Sequence, residues 1–156
     1  MIFSAEARQR VKSPVTRFVR FESAAPNRRG RHPGVFALAN GLAQAGLLSR
    51  EDRRWLDAAN EQAEAAYPDP STVAPGCYDP AANPGARSWF KAEAVALLGM
   101  TDAYLELLDR YGIAWVELRT SHPGRIVYED DVQVVAVPHA YPADWPFPAS
   151  HQRIRG

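Results

Sequence analysis

Residues 113–137 read IAWVELRTSHPGRIVYEDDVQVVAV, and they carry the clearest structural signal in the chain. Three short runs, IAWVELRT, RIVYE and VQVVAV, are rich in β-branched and aromatic residues, as strands are. The first break is Ser-His-Pro-Gly at 121–124, where the Pro-Gly step suits a type II turn, and the second is Asp130 with Asp131. We therefore predict a three-stranded antiparallel meander.

Side chains alternate between the two faces of such a meander. The apolar face, predicted to form the core, carries Ala114, Val116, Leu118 and Val127. The opposite face carries Trp115, Glu117, Arg119, Tyr128, Asp130 and Gln133. On that face Arg119 can hold an anion while Glu117 acts as base and Tyr128 as proton donor, with Trp115 and Gln133 completing a binding surface. The alternative is an ordinary solvated sheet face with a Glu–Arg ion pair.

Upstream of the meander the apolar periodicity predicts one strand and four helices. The strand is at 15–22. The first helix begins at Pro33 and ends at Gly46, and Ser49 caps the second. Two more run over 88–100 and from a cap at Thr101 to Gly112. Short connections between successive helices favour two helical hairpins. The predicted fold is an α+β domain in which these hairpins pack on a small antiparallel sheet made of the meander and the N-terminal strand.

The long segment 68–86 contains five prolines and is predicted to be a loop tied down by a few apolar residues. The length of the chain suits one domain spanning residues 1–156. Residues 1–14 are expected to be flexible, and the segment 138–156, rich in Pro and aromatic residues, is expected to wrap the surface.

Charge is unevenly distributed although the net charge is zero. Residues 1–32 hold eight basic and two acidic residues, and residues 49–131 hold eight basic and fifteen acidic residues. Within the basic segment, Arg29, Arg31 and His32 directly precede a predicted helix, whose N-terminus favours an anion. The segment can equally pair with the acidic remainder of the chain.

Two functions remain open from the sequence. The first is binding of an anionic or nucleotide-like small molecule at the polar meander face, with acid–base processing by Glu117, Tyr128 and His32, and with Arg29 and Arg31 as further ligand contacts. The alternative is a non-catalytic module that binds nucleic acid or an acidic protein through the basic N-terminal segment. Homo-oligomerisation, through an exposed edge of the meander or through the aromatic C-terminal segment, is a third, structural possibility.

The remaining expectations are absences and a compartment. The four histidines have no metal-binding spacing, so neither a metal nor a cofactor is expected. No apolar run is long enough to span a membrane. Cys77 is the single cysteine and cannot form an intramolecular disulfide, which favours a reducing, cytoplasmic location.

Overall fold

The computed structural model describes residues 16–139 and the backbone of residues 151–155. Its helices are α1 (Val35–Gln44), α2 (Arg50–Ala66), the short α3 (Pro70–Val73) and α4 (Val95–Arg110). Its strands are β1 (Phe18–Ser23), β2 (Arg87–Lys91), β3 (Trp115–Thr120), β4 (Arg125–Glu129), β5 (Gln133–Val137) and β6 (His151–Arg155). The predicted α+β class is confirmed. The predicted flexible segment 1–14 lies outside the described residues, as do residues 140–150 of the segment that is predicted to wrap the surface; residues 151–155 of that segment form β6.

The strands form a six-stranded antiparallel sheet with the order β4-β5-β2-β1-β3-β6. The N-terminal strand β1 is therefore central. It pairs with β3 through six residue pairs but with β2 through only two, Phe18 with Lys91 and Val19 with Phe90. Beyond Val19 the strands β1 and β2 diverge, and this divergence creates the polar cluster described below.

The predicted meander is wrong at its first hairpin. β3 pairs with β1 and β6, and the residues 121–124 lead instead to the far edge of the sheet, where β4 pairs with β5. Both faces of β3 are buried, with Trp115 and Glu117 on one side and Val116 and Leu118 on the other. A strand that buries both faces is more stable in the interior of a sheet than in a hairpin at its edge.

The second predicted hairpin, β4 with β5, is present. The Asp130 carboxylate accepts hydrogen bonds from the backbone N–H groups of Val132 and Gln133, which explains how this turn forms without Asn-Gly. Its register differs from the predicted one, because Tyr128 is opposite Val135 and not opposite Gln133.

The predicted helix at 88–100 is also wrong, and with it the second helical hairpin. Residues 87–91 form β2, and a single helix, α4, follows. Trp89 and Phe90 are both buried although they point to opposite faces of the sheet, so this stretch lacks the alternation that identifies a half-buried strand. Thr101, predicted as a cap, lies inside α4 with its Oγ1 bonded 2.8 Å from the Leu97 carbonyl oxygen.

Two apolar clusters cover the two faces of the sheet. On the helix side, Val19, Phe21, Phe90 and Trp115 join helical residues that include Leu42, Leu56, Tyr104, Leu107 and Leu108. On the second face the buried residues are Phe18, Trp89, Val116, Leu118, Val134 and Ala136. The helices thus pack on the face of β3 that was expected to be solvated, while Ala114, predicted as core, is exposed.

Helix ends follow the sequence more closely. The hydroxyl of Ser49 caps α2 by accepting a hydrogen bond from the Asp52 N–H at 3.0 Å. Gly46, the predicted stop of α1, has a positive φ of 72° directly after the helix. Both local predictions are confirmed.

Candidate functional site

Three of the predicted site residues lie together on the helix-side face of β3. Trp115, Glu117 and Arg119 line a groove of about 620 Å³ between β3 and α4. Arg119 Nε donates to Glu117 Oε2 at 2.5 Å, and the Trp115 indole donates to Asp109 at 2.8 Å. The other acidic residues that line the groove are Asp102 and Glu106. Among its described lining residues, four carboxylates face one guanidinium, which does not suit an anionic ligand.

Tyr128 and Gln133 are not brought to this groove. Gln133 is on β5, three strand spacings from β3, which is roughly 14 Å at about 4.8 Å per spacing, and Tyr128 is on β4, one spacing farther. The Tyr128 hydroxyl donates to Asp130 at 2.8 Å, and Gln133 Nε2 donates to the Pro68 carbonyl at 3.0 Å. The bond to Asp130 raises the pKa of Tyr128 to about 12, so its proton stays in place at neutral pH. Glu117 and Tyr128 therefore cannot act on one substrate atom.

The basic loop after β1 holds the other predicted residues. Asn27 Oδ1 shapes the loop by accepting from the backbone N–H groups of Arg29 and Arg31, whose side chains are exposed. His32 lies closer to the sheet, with Nδ1 2.9 Å from the Ser23 carbonyl oxygen and 3.9 Å from the Glu22 carboxylate. The loop therefore adjoins the second face of the sheet and not the helix-side groove.

A buried charged cluster occupies the gap between β1 and β2. Arg20 Nε donates to Glu22 at 2.6 Å, and its two terminal nitrogens donate to the carbonyls of Ser88 and His32, each at 3.0 Å. Arg87 reaches the same Glu22 oxygen at 3.4 Å. Two guanidinium groups thus share one buried carboxylate.

Two donors in this cluster have no acceptor among the residues that the structure describes. The Nε of Arg87 and the indole Nε1 of Trp89 are buried without a hydrogen-bond partner. Arg87 and Trp89 are two positions apart in β2, so both side chains project from the second face of the sheet. The guanidinium carbon of Arg87 lies 5.1 Å from the centroid of the Trp89 ring. Burial lowers the pKa of Arg87; the nearby Glu22 opposes this effect and Arg20 adds to it. Arg87 is thus a half-buried cation whose Nε is buried and whose charge is incompletely paired among the described residues.

Sequence reasoning missed Arg20, Glu22, Arg87 and Trp89 as a group. The spacing of Arg20 and Glu22 in a predicted strand already placed both on one face. Arg87 and Trp89 are also two positions apart, but the sequence predicts a helix over 88–100, so it does not indicate that they share a sheet face.

A second cavity, of about 290 Å³, lies between α1, α2, the Pro-rich loop and the helix-side face of β2 and β5. Two lining residues, Asn60 and Asn40, are hydrogen-bonded: the Asn60 amide donates to Asn40 at 2.8 Å, and Asn60 accepts from Tyr104 OH at 2.8 Å. Gln133 also lines this cavity, and it is the only one of the predicted site residues among the described lining residues.

Comparisons with protein-family models, curated proteins and solved structures find no match.

Other chemistry is weakly represented in the described residues. The Cys77 thiol is buried and lies 3.6 Å from the Pro70 carbonyl oxygen, and burial raises its pKa, so it is protonated at neutral pH. Residues 16–139 contain no cluster of three or more His, Cys, Asp or Glu side chains suited to a metal ion. None of the described helices is long and apolar enough to cross a bilayer.

Proposed function

We propose that this protein binds an anionic small molecule through a carboxylate or phosphate group at the Arg87–Trp89 site on the second face of the sheet. The observation that carries the proposal is the pair of buried, unpartnered N–H donors, Arg87 Nε and Trp89 Nε1. A buried N–H left without an acceptor costs about 1–3 kcal/mol, and buried polar groups are nearly always paired. An oxyanion supplies acceptors for both donors.

The charge of the cluster supports the same ligand class. Arg20 and Arg87 together carry two positive charges, and Glu22 supplies one negative charge. Arg20 is fully engaged by Glu22 and two backbone carbonyls, whereas Arg87 makes one long bond. An anion bound at Arg87 balances the remaining charge.

The basic loop supports the approach of such a ligand. His32 stands at the edge of the cluster, and the exposed Arg29 and Arg31 are in the same loop. Exposed guanidinium groups around a site raise the local concentration of anions. The proposal is for binding, since Glu22, the carboxylate of the cluster, already accepts from both guanidinium groups. We place this binding in the cytoplasm, where Cys77 stays reduced.

The test is ¹⁵N NMR of the two side-chain donors during titration with inorganic phosphate, acetate or ADP. We expect the Trp89 indole N–H and the Arg87 Nε–H to shift together along one saturable curve with at least one probe. Replacing Arg87 by Gln removes a charged donor, so affinity should fall by about tenfold or more. Replacing Trp89 by Phe removes the neutral donor Nε1–H together with part of the buried ring but no charge, so the loss should be smaller, roughly two- to tenfold.

Arg54→Gln is the matched control because Arg54 is an exposed arginine on α2, outside this cluster. It should leave affinity unchanged. The proposal is wrong if neither donor resonance moves with any probe, as expected when only a structural water fills the site. Equal losses in the Arg87 and Arg54 variants would also contradict it.

The exposed arginines of the loop support a second candidate function, contact with nucleic acid or an acidic protein. Arg28, Arg29 and Arg31 all face solvent on the loop shaped by Asn27. A phosphate-backbone contact loses affinity steeply with added salt. An oligonucleotide that binds only at low salt, and that is released by replacing these three arginines with Gln, would favour this function over the Arg87 site.

A further inference from the structure

We propose that the cavity between α1, α2, the Pro-rich loop and the sheet is a second binding site, for a small organic ammonium ion. Its volume of about 290 Å³ is near the lower end of the range for small-molecule pockets. This corresponds to about ten water-sized volumes, which suits a compact metabolite and excludes a polymer. This site is independent of the anion site, because it lies on the opposite face of β2.

The charge of the cavity wall indicates a cation. The ionisable acids among the described lining residues are Glu64 and Asp69, and these lining residues include no Arg, Lys or His. Glu64 is exposed, and its negative charge acts on Tyr104, the hydrogen-bond partner of Asn60: burial and, to a lesser extent, Glu64 raise the pKa of Tyr104. The positive charge of Arg20, which lies near Tyr78, is already compensated by Glu22.

The aromatic content of the wall indicates an organic cation and not a metal ion. Phe36, Tyr67, Tyr78 and Phe90 all line the cavity. Aromatic faces attract ammonium groups through the ring quadrupole, and recognition of quaternary ammonium ions by several rings is the best-known use of this interaction. A metal ion would instead require several oxygen or nitrogen ligands, and two carboxylates on separate segments do not provide them.

Polar groups at one side of the cavity can fix a ligand hydroxyl or carbonyl. The Asn60 oxygen accepts from Tyr104, so the Asn60 amide donates to the Asn40 oxygen, and the Asn40 amide N–H₂ remains as a donor. Ser88 and Gln133 are further polar lining residues. The arrangement therefore suits an ammonium ion that carries a hydroxyl or carbonyl a few bonds away.

The test compares choline with its uncharged carbon isostere, 3,3-dimethyl-1-butanol, by NMR titration of the full chain. The two probes have nearly the same shape, so a difference in affinity measures the contribution of the charge. We expect choline to shift resonances of Asn60, Tyr78 and Ser88 with at least fivefold higher affinity than the alcohol, as cation–π and ion-pair contributions of about 0.5–1 kcal/mol each imply.

Three variants locate the interaction. Glu64→Gln should weaken choline binding roughly two- to fivefold and leave the alcohol unaffected. Tyr78→Leu should weaken choline by a similar factor, while Tyr78→Phe, which keeps the ring, should not. Glu61→Gln is the matched control, because Glu61 is exposed on the same helix and does not line the cavity.

Equal affinities for choline and the alcohol would overturn the proposal, as would equal effects of the Glu64 and Glu61 substitutions. Choline-induced shifts confined to the acidic β3–α4 groove would also overturn it. Because the anion site is tested with different probes and different variants, failure of one proposal leaves the other intact.

Discussion

Where β1 and β2 diverge, hydrogen bonds from the Arg20 side chain take the place of backbone hydrogen bonds between the two strands. Its guanidinium donates to the Ser88 carbonyl of β2, to the His32 carbonyl of the loop and to Glu22. A buried charge is tolerated only when it is paired and hydrogen-bonded, and these three bonds meet that requirement. Gly34 lies beside this side chain, and a Cβ there would make van der Waals contact with Arg20 Nη1 at 3.4 Å. Arg20 thus fills the gap between β1 and β2. Arg87 lies beside it and remains incompletely paired.

Gly124 is a residue whose substitution the backbone does not allow. A Cβ built at this position would lie 2.0 Å from the Val137 carbonyl oxygen, and φ is 126°. A disallowed backbone conformation usually costs about 1–3 kcal/mol. We expect Gly124→Ala to lower the free energy of unfolding by at least this amount, because β4 must also move away from β5. Chemical denaturation measures this loss.

Gly41→Ala is the matched control for this substitution. Gly41 is in α1, and a Cβ there meets no atom within 4 Å. The change should raise the free energy of unfolding by about 0.5–1 kcal/mol, since Ala favours the helix. An equal loss in both variants would contradict the close approach at Val137.

At the scale of elements, one carboxylate joins the start of α2 to the end of α4. Tyr111 OH donates to Asp52 at 2.7 Å, and Arg110 donates to its other oxygen at 2.9 Å. The Ser49 backbone N–H in turn donates to Tyr111 OH at 2.9 Å. The negative charge of Asp52 also favours the N-terminus of α2. These contacts orient the two helices around their shared core.

The hydrogen bonds of Asp52 with Tyr111 and Arg110 predict that the stability of the protein depends on pH. The hydrogen bond from Tyr111, together with Arg110 and Ser49, lowers the pKa of Asp52 below its ordinary value of 3.8. The folded state therefore binds this proton more weakly than the unfolded state does. The resulting stabilisation is present above pH 3.8 and is lost as the pH falls through the lowered pKa. Urea denaturation of wild type and Asp52→Asn measures it, and the variant should lose less stability on acidification.

Asp57→Asn serves as the control, because Asp57 is on the same helix and pairs with Arg53 at the surface. Exposed pairs of this kind contribute little. Its acid dependence should match that of wild type. If Asp52→Asn also follows the wild-type acid profile, the contacts of Asp52 with α4 do not stabilise the fold.

At the scale of the whole molecule, strand order decides which residues can form a site. Placing β1 and β2 between β3 and β5 separates Glu117 and Arg119 from Tyr128 and Gln133. The same order brings Arg20 and Glu22 of β1 next to Arg87 of β2. A polar surface predicted from one hairpin is thereby divided, and another is formed from strands far apart in the chain.

Native-state hydrogen exchange tests this strand order. β1, β3 and β5 each pair on both sides and bury both faces, so their amides should be the slowest to exchange among the strands. β4 pairs only with β5 and is largely exposed, so its amides should exchange much faster. Equal protection of β3 and β4 would instead support the hairpin expected from the sequence.

The sequence by itself determined the features that depend on neighbouring residues. The cap at Ser49, the end of α1 before Gly46, the turn at Asp130 and the α+β class all follow from local hydrogen bonding, backbone conformation and hydrophobic period. The position of Trp115, Glu117 and Arg119 on one face of a strand followed from alternation alone.

Only the tertiary structure decided which strands pair and which face the helices cover. The stretch around Trp89 and the strand around Glu117 are buried on both faces, so their hydrophobic patterns do not specify strand order or orientation. Pairing between distant strands depends on the total burial of the assembled sheet, which no local pattern encodes. The unpartnered donors of Arg87 and Trp89 arise from that assembly, and so the candidate anion site became visible only in the folded protein.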